Sequence, residues 1–161
     1  MKLYINEKVF SLHDKFYIYD ENGNNIYEVS SKFLSLWKKT RIYDMNGSQV
    51  LYIEQEGLRI PAAYKIYENG EYVCEISRVA GWFTQNYQLS NGYQIKGRTF
   101  PLKVTIYDEK DKIIGTIEKK VFSIGDKYEI EIFDETHKII TLAIAVTIAN
   151  DVNRGQSGHK Y

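Results

Sequence analysis

This sequence has little cysteine, little proline and no formal net charge. The low cysteine content and the balance of charge exclude particular classes of protein. Cys74 is the only cysteine among 161 residues, so neither an intrachain disulfide nor a cysteine-rich zinc site can form. Lys and Arg number 21, and Asp and Glu also number 21. A general nucleic-acid binder normally carries a positive excess that neutralises phosphates, so we expect no nucleic-acid partner. Charge balance still allows a local basic patch.

Long apolar segments are missing as well. The most apolar stretch, residues 139–149, contains Thr141 and Thr147 and has about half the length that a helix needs to cross a bilayer. No transmembrane segment is therefore expected. The first eight residues lack the apolar core and the cleavage site of a secretory signal. Together these features predict a cytoplasmic protein, with an association at the periphery of a membrane as the other expectation considered below.

Tyrosine is abundant, with 14 residues, whereas there are only two prolines. Together with many Ile, Val, Phe and Thr residues, this composition favours β-strands, because such side chains suit a pleated and half-buried surface.

A short motif recurs along the chain, at first in steps of about 24 residues. It combines an aliphatic residue, an aromatic residue and an acid, in most copies before a turn sequence rich in Asn and Gly. Its copies are Ile18-Tyr19-Asp20, Ile42-Tyr43-Asp44, Ile66-Tyr67-Glu68, Ile106-Tyr107-Asp108 and Ile132-Phe133-Asp134. A second motif, Val9-Phe10-Ser11-Leu12-His13-Asp14-Lys15, returns as Val121-Phe122-Ser123-Ile124-Gly125-Asp126-Lys127.

These repeats predict units of strand, turn and strand. Phe16 and Ile18 alternate with Tyr17 and Tyr19, which indicates one inward and one outward face. The Asn-Gly pairs accept the positive φ that tight hairpins require, and the acids before them are interpreted as turn residues. About twelve short antiparallel strands follow, and an open sheet of that size leaves exposed edges. We therefore predict an all-β protein closed into a barrel, with one helix.

The segment 137–151 leaves two alternatives open, a strand or a buried helix. Its β-branched residues allow a strand, whereas its alanines and its apolarity on all sides allow a helix. A helix is favoured, because the interior of a barrel with many strands must be filled. The predicted domain covers residues 1–151, followed by a flexible polar tail at 152–161.

The repeated Phe-Ser openings, the Ile-Tyr-Asp turns and the Ala- and Ile-rich C-terminal segment together resemble the LURP-one-related family. That family belongs to the Tubby C-terminal-like superfamily, which is related to the phospholipid scramblases. The resemblance spans about residues 3–151 and implies a twelve-stranded barrel around a buried hydrophobic helix. Tubby-type members bind phosphoinositide head groups, but no position of this chain matches their lipid-binding residues. The chain also lacks the cysteine-rich stretch and the apolar tail of scramblases, so scramblase activity is not expected.

No residue pattern in the sequence indicates catalysis, a cofactor or a metal. Cys74 lies in an alternating segment and is interpreted as a small buried strand residue. The histidines lack the spacing of metal ligands; they are His13, His137 and His159. Asp14 and Asp126 occupy matching places in two repeats and either form a paired acid site or, as we favour, cap their own turns.

Basic residues beside aromatic ones provide the sequence's main indication of a binding site. The candidate residues for an anionic ligand are Trp37, Lys38, Lys39, Arg41, Lys96 and Arg98. A Trp next to several cations is typical of an anchor at the surface of an anionic membrane. The alternative is that Trp37 and Phe33 belong to the core and that the lysines form a solvated face. Trp82-Phe83 with nearby Arg78 allows the same two interpretations.

Three functions are compatible with the sequence. The first is a non-enzymatic binding module for anionic phospholipid or phosphoinositide-like head groups. The second is a protein-interaction scaffold whose loops contact protein partners. The third is an enzyme with an unrecognised site, which is the least supported because no nucleophile and base are paired. A monomer is expected, since a closed barrel has no free edge.

Overall fold

The computed structural model describes residues 1–8, 15–31, 39–57, 62–79, 86–99 and 101–157, and these residues form twelve β-strands and one long helix. The strands are β1 (Lys2–Asn6), β2 (Lys15–Asp20), β3 (Asn25–Ser31), β4 (Lys39–Asp44), β5 (Gln49–Gln55), β6 (Ala63–Glu68), β7 (Glu71–Val79), β8 (Asn86–Leu89), β9 (Gln94–Thr99), β10 (Leu102–Tyr107), β11 (Ile113–Lys120) and β12 (Lys127–Ile132). A 3₁₀ turn (Glu135–His137) connects β12 to helix α1 (Lys138–Ser157).

The strands form one closed antiparallel barrel. Each strand pairs with the strands that precede and follow it in the chain, and β1 pairs with β12 to close the sheet. Leu3, for example, lies opposite Ile130 of β12 and opposite Asp20 of β2. The predicted fold class, a twelve-stranded antiparallel barrel with one C-terminal helix, is confirmed.

The side chains of β2 illustrate why these sequences form barrel strands. Phe16 and Ile18 are buried, whereas Tyr17 between them is 40% exposed. Successive side chains of a strand point to opposite faces of the sheet, so one set fills the interior and the other meets solvent. The same alternation occurs in β12, where Tyr128 and Ile130 are buried. The predicted inward and outward faces of β2 are therefore correct.

Acidic residues organise the hairpin turns. The carboxylate of Asp20 accepts hydrogen bonds of 2.9 Å from the backbone N–H groups of Asn22 and Asn24. Asp44 and Asp108 accept equivalent pairs of backbone hydrogen bonds in their own turns. Hydrogen bonds from the Asn24 side chain and then its backbone hold the pKa of the Asp20 carboxyl below its ordinary value. The interpretation of these three acids as turn residues is confirmed.

Asp134 performs a related role where the chain turns from β12 into the helix. Its carboxylate accepts hydrogen bonds from the Lys112 ammonium at 2.7 Å and from the backbone N–H of Thr136 at 3.0 Å. These contacts, with the Lys112 hydrogen bond as the largest cause, hold the pKa of the Asp134 carboxyl far below its ordinary value. The side chain thereby caps the 3₁₀ turn that leads into α1.

Helix α1 fills the barrel. Four consecutive residues, Leu142, Ala143, Ile144 and Ala145, are completely buried, which means that every side of the helix is covered. Of the two alternatives that the sequence left open for this segment, the helix is correct. The strands provide inward aliphatic side chains, and the alanines of α1 allow those side chains to pack closely around it.

A glycine permits close contact between the helix and the wall. A Cβ atom at Gly115 of β11 would lie 2.7 Å from the carbonyl oxygen of Glu131 and 2.8 Å from Cγ2 of Thr141. Real Cβ atoms do not approach other atoms so closely, so only glycine leaves room for α1 at this position.

The helix continues beyond the predicted end of the domain. The sequence predicts a flexible tail from residue 152, but α1 extends through Ser157, and Val152 is buried. Apolar contact with the barrel explains why the helix does not end at Asp151. Residues 158–161 lie outside the described part of the chain, so a flexible tail there remains a prediction.

The two ends of the barrel differ, and each receives a name. Odd-numbered strands run in one direction and even-numbered strands in the other. We call the end at which odd-numbered strands end and even-numbered strands begin the loop rim. The opposite end, which holds the turns that follow β2, β4, β6, β8 and β10, is the turn rim. Because α1 follows β12, it enters at the turn rim, and Asp151 reaches the loop rim, where it contacts Tyr64 near the start of β6.

Candidate functional site

Positively charged residues accumulate around the loop rim. Among the described residues, the strand ends and connections at this rim carry the following cations: Lys8, Lys15, Lys39, Arg78, Arg98, Lys103, Lys119, Lys120 and Lys127. The acids in the same part of the chain are Glu7, Glu54, Glu56, Glu118, Asp126 and Asp151. Cations therefore outnumber acids at this end of the barrel.

The turn rim has the opposite composition. Its described acids are Asp20, Glu21, Asp44, Glu68, Glu71, Asp108, Glu109, Asp111, Asp134 and Glu135, whereas its cations are Lys2, Lys110, Lys112 and Lys138. The formal net charge of zero thus conceals a separation of charge along the barrel axis. Such a distribution produces a positive potential at one end, although the molecule as a whole is neutral.

Two of the predicted site residues lie on β4. Lys39 is the first residue of that strand, at the loop rim, and its ammonium lies 3.8 Å from the Glu54 carboxylate. The Arg41 guanidinium lies over the Tyr52 ring, 5.2 Å from its centroid. Both cations are therefore engaged by neighbours on β5. Trp37 and Lys38, which complete this predicted cluster, lie outside the described residues, as do Phe33, Trp82 and Phe83.

The other two predicted residues lie on β9, on either side of a glycine. The Lys96 ammonium lies 4.8 Å from the centroid of the Tyr107 ring, and Arg98 donates a hydrogen bond of 3.3 Å from Nε to the Pro101 carbonyl. Gly97 between them has φ +142°, and a Cβ there would clash with the Lys103 carbonyl oxygen. Glycine thus lets β9 approach β10 while its neighbours remain exposed.

The fold does not bring the four described site residues into one patch. In the barrel, β4 and β9 are separated by β5, β6, β7 and β8 on one side and by more strands on the other. Lys39 and Arg98 nevertheless share the loop rim, because β4 begins and β9 ends there. Arg41 and Lys96 lie two residues farther from this rim on their strands.

A buried polar cluster fixes the end of the helix at the loop rim. The Asp151 carboxylate, with its side chain only 6% exposed, accepts hydrogen bonds from the Tyr64 hydroxyl at 3.1 Å and the Tyr87 hydroxyl at 2.6 Å. It also accepts two from Arg78, at 3.1 Å from Nε and 2.5 Å from Nη2. One carboxylate on α1 therefore binds three strands, β6, β7 and β8, which makes the cluster a structural clamp.

The surroundings of this clamp affect the protonation of its members. Burial first, and then the charge of Asp151, raise the pKa of the Tyr64 and Tyr87 hydroxyls. Burial lowers the pKa of Arg78, but the Asp151 hydrogen bond and charge outweigh this effect, so that it is raised overall. The tyrosines remain neutral donors and the arginine stays charged at neutral pH. Such groups hold a carboxylate but do not supply a general base or acid.

This clamp is not predicted from the sequence. In the sequence, Arg78 stands out only beside Trp82-Phe83, and Asp151 only as the end of the apolar segment. The two residues are 73 positions apart, so no local pattern connects them. A charged residue at the end of an otherwise apolar buried helix was the available signal, because a buried carboxylate requires a partner.

A second ionic cluster connects β1, β11 and the start of β12 at the same rim. The Lys119 ammonium lies 2.8 Å from the Glu7 carboxylate and 3.4 Å from that of Asp126. The Glu7 N–H also donates a hydrogen bond of 3.0 Å to the Asp126 carbonyl oxygen. Asp126 thus fixes the connection between strands. Asp14, its proposed partner in a paired acid site, lies outside the described residues, so the pairing itself remains untested.

Beside this cluster, the connection from β11 to β12 presents apolar side chains to solvent. Val121, Phe122 and Ile124 are 78%, 45% and 84% exposed. Next to Ile124 is a groove of about 510 Å³ whose lining includes two lysines; its lining residues are Asn6, Lys8, Tyr19, Gly23, Asn25, Ile124, Gly125, Asp126 and Lys127. The groove extends along the outer wall from the loop rim to Gly23 and Asn25 at the turn between β2 and β3, and it combines apolar and cationic groups.

Cys74 and the histidines were considered for catalysis or metal binding, and the structure describes the surroundings of Cys74 and His137. Cys74 is buried in β7, and burial raises the pKa of its thiol to about 11, which keeps it protonated at neutral pH. The described part of the chain contains no group of His, Cys, Asp or Glu that could hold a metal ion. His137 lies against the Tyr93 ring, and its Nδ1 is 3.1 Å from the Thr136 hydroxyl. His13 and His159 lie outside the described residues.

These features define a helix-filled β-barrel whose two rims differ in charge. The LURP-one-related family model matches residues 1–149, and the chain belongs to that family. It is 27% identical over 149 residues to the uncharacterized protein YxjI of Bacillus subtilis (strain 168), with 92% of this chain and 91% of that protein covered.

A solved structure supports the same fold. The X-ray structure of a protein from Arabidopsis thaliana matches with a TM-score of 0.60 and 18% identity, covering 94% of this chain and 91% of the other. At this identity the likeness shows the fold alone. Within the described residues, no helix has both the length and the apolarity required to cross a membrane.

Proposed function

We propose that this chain is a non-enzymatic binding module that docks through its loop rim on an anionic membrane surface. The observation that carries the proposal is the separation of charge between the two rims. A positive end attracts the negative head-group layer, while the acidic end is repelled, so the molecule is oriented as it approaches. Each Lys or Arg near such a surface contributes about 1 kcal/mol of binding free energy.

The predicted site residues have different roles in this proposal. Lys39 and Arg98 lie at the rim itself and contact head groups directly. Arg41 and Lys96 lie farther from the rim on the outer wall, where their tyrosine partners limit their movement, and they contribute to the positive potential. Trp37 and Lys38 remain candidate contacts on the basis of the sequence.

A non-enzymatic role is supported by the filled interior. The side chains of α1 occupy the space in which many barrels hold a ligand. The Asp151 clamp uses its polar groups to bind the helix and not to activate a substrate. The proposal places the chain as a monomer at the cytoplasmic face of a membrane, because the inner leaflet is the anionic one.

Co-sedimentation with lipid vesicles tests the proposal. The protein is mixed with neutral vesicles, with vesicles containing phosphatidylserine and with vesicles that also contain phosphoinositides, at low and moderate salt. We expect binding only to the anionic vesicles, and weaker binding at moderate salt because ions screen exposed charges.

A pair of matched variants tests the orientation. Lys39→Gln with Arg98→Gln removes two cations from the loop rim, and we expect roughly tenfold weaker binding or more. Lys2→Gln with Lys110→Gln removes the same charge from the turn rim and should leave binding nearly unchanged. Equal losses in both variants would exclude a preferred rim. If wild-type protein binds no vesicle, the proposal is wrong, and a scaffold for protein partners becomes the better hypothesis.

A further inference from the structure

The tip of the connection between β11 and β12 differs from the turns at the other end of the barrel. Those turns carry polar pairs such as Asn22-Gly23 and Asn46-Gly47, as exposed turns normally do. Here Val121, Phe122 and Ile124 are held outward, with Ile124 84% exposed. Single exposed apolar residues are common on protein surfaces, but three within four positions of one connection indicate a contact surface.

The tip has a defined conformation. The Gly125 N–H donates a hydrogen bond of 3.1 Å to the Phe122 carbonyl oxygen, which closes a turn with Ser123 and Ile124 at its apex. Gly125 has φ +121°, a conformation that other residues rarely adopt. Lys119 bridges Glu7 and Asp126 at the base of the connection. The apolar side chains are therefore presented by a supported turn.

Cations surround the tip. The Lys127 ammonium lies 5.5 Å from the centroid of the Phe122 ring and 5.4 Å from that of Tyr19. Among the described residues, no carboxylate lies within ion-pair distance of Lys127. Lys127 and Lys8 also line the groove of about 510 Å³ next to Ile124, together with the amide groups of Asn6 and Asn25. The Asp126 carboxylate also lines the groove and lies 3.4 Å from the Lys119 ammonium. The cationic and amide donors beside it match the chemistry of a phosphate group.

We propose that Val121, Phe122 and Ile124 insert into the apolar layer of an anionic membrane, while Lys8 and Lys127 hold a lipid phosphate in the adjoining groove. Apolar side chains below a ring of cations complement a bilayer, in which an apolar layer lies below negatively charged phosphates. This inference depends on the proposed function and specifies its contact site. It adds a component of binding that salt does not weaken, because burial of apolar side chains is not screened.

The decisive variant is Val121→Ser with Ile124→Ser. Burial of one such side chain contributes roughly tenfold to affinity or more, so the double variant should bind anionic vesicles at least tenfold more weakly. The binding that remains should disappear at high salt. The control is Met45→Ser with Ile113→Ser, which removes two exposed apolar side chains from the turn rim. The control should bind like wild type, and both variants should retain the wild-type melting temperature.

A fluorescent label reports the environment of the tip directly. Ser123→Cys and Ser48→Cys each introduce one exposed thiol, at the tip and at the turn rim. Cys74 is buried, and the raised pKa of its thiol keeps it unreactive, so a polarity-sensitive dye attaches only to the new cysteine. With anionic vesicles we expect a blue shift from the label at position 123 and none from the label at position 48.

The outcomes separate this inference from the proposed function. In one outcome, the wild-type protein and the Val121→Ser, Ile124→Ser variant bind anionic vesicles equally well, and the label at position 123 shows no blue shift. Docking then occurs without the tip, and the inference is overturned. If wild-type protein binds no vesicle, the proposed function itself is wrong. If wild-type protein is a dimer and the variant a monomer in solution, the tip is covered by a second copy, which also overturns the inference.

Discussion

At the scale of single residues, Asp151 is the most consequential side chain in this structure. It is the buried carboxylate that connects α1 to β6, β7 and β8 through Tyr64, Arg78 and Tyr87. A buried charge is tolerated only when hydrogen bonds and an opposite charge replace its water, and here both are present.

Replacing this charge should destabilise the protein. Asp151→Asn removes the counter-charge of Arg78, whose side chain is only 29% exposed, and weakens its hydrogen bonds. We expect the free energy of unfolding to fall by about 1.5–3 kcal/mol. Urea denaturation followed by circular dichroism measures the change. The control is Glu109→Gln, a substitution at an exposed position, and its free energy of unfolding should lie within about 0.5 kcal/mol of the wild-type value. An unchanged urea midpoint for Asp151→Asn would show that the clamp does not stabilise the fold.

Alkaline conditions should also lower stability. Burial raises the pKa of the Cys74 thiol from 9.0 to about 11, and it raises the pKa of Tyr64 and Tyr87. Between the unfolded and folded values, the unfolded chain binds fewer protons than the folded one, so the free energy of unfolding decreases as the pH rises. For Cys74 this window is about pH 9 to 11, with a loss on the order of 1 kcal/mol per pH unit.

Urea titrations at intervals between about pH 8 and pH 11 measure this slope. The matched variant is Cys74→Ala, whose absolute stability is lower but whose pH dependence should be shallower above about pH 9. A slope identical to that of wild type would assign the alkaline loss to the other groups with raised pKa values, which are buried tyrosines and ion-paired lysines such as Lys119.

At the scale of elements, α1 illustrates what the sequence can and cannot determine. The all-round apolarity of residues 139–149 predicts burial correctly, but periodicity does not distinguish a strand from a helix there. That decision depends on the barrel around the segment, because the interior must be filled. The helix continues past the predicted boundary at Asp151 to Ser157, and Asp151 itself contacts strands that are distant in the sequence, so no local pattern marks where the helix ends.

Two truncations should show which part of α1 is required. A chain that ends at residue 153 keeps Asp151 and Val152, and its free energy of unfolding should lie within about 1 kcal/mol of wild type. A chain that ends at residue 150 loses the clamp and the buried Val152 and should be less stable by about 3–6 kcal/mol. Thermal and urea denaturation of both chains provide the comparison. Similar losses for the two would mean that the final residues of the helix are docked as firmly as Asp151.

The repeated motifs were informative to different degrees. The acids of the first motif do organise turns, as Asp20 and Asp44 show. The repeats, including the second motif, predict units of strand, turn and strand, yet the described copy of the second motif forms the exposed connection that contains Phe122 and Ile124. A motif rich in Phe and Ile suggests burial, and only the topology shows where apolar residues remain uncovered.

At the scale of the whole molecule, the separation of charge follows from the order of the strands. Four of the five hairpin turns at the turn rim carry an acid, the exception being the turn between β8 and β9, and several strand ends at the loop rim carry a lysine or arginine. The composition alone shows only a net charge of zero. The predicted meander contained the necessary information, because antiparallel neighbours alternate in direction. The separation of charge between the two rims was not predicted, because charged residues were compared along the chain and were not assigned to the ends of the barrel.

The closed sheet should unfold as one unit. Every strand has two neighbours, and the buried side chains of the strands form one core cluster with those of α1. We expect a single cooperative transition in which tyrosine fluorescence and far-ultraviolet circular dichroism change together. Transitions with different midpoints would indicate that part of the barrel is stable without the helix.

The position of α1 in the chain also affects how the protein is made. The ribosome releases the chain from its N-terminus, so all twelve strands emerge before the segment that fills the space between them. Until residues 138–152 are synthesised, the aliphatic faces of the strands have no native partner, and β1 must remain unpaired with β12 until residues 127–132 have emerged. Translation that stops just before residue 138 would therefore yield a chain that has all twelve strands yet exposes its interior. Such a product is a natural substrate for chaperones and proteases.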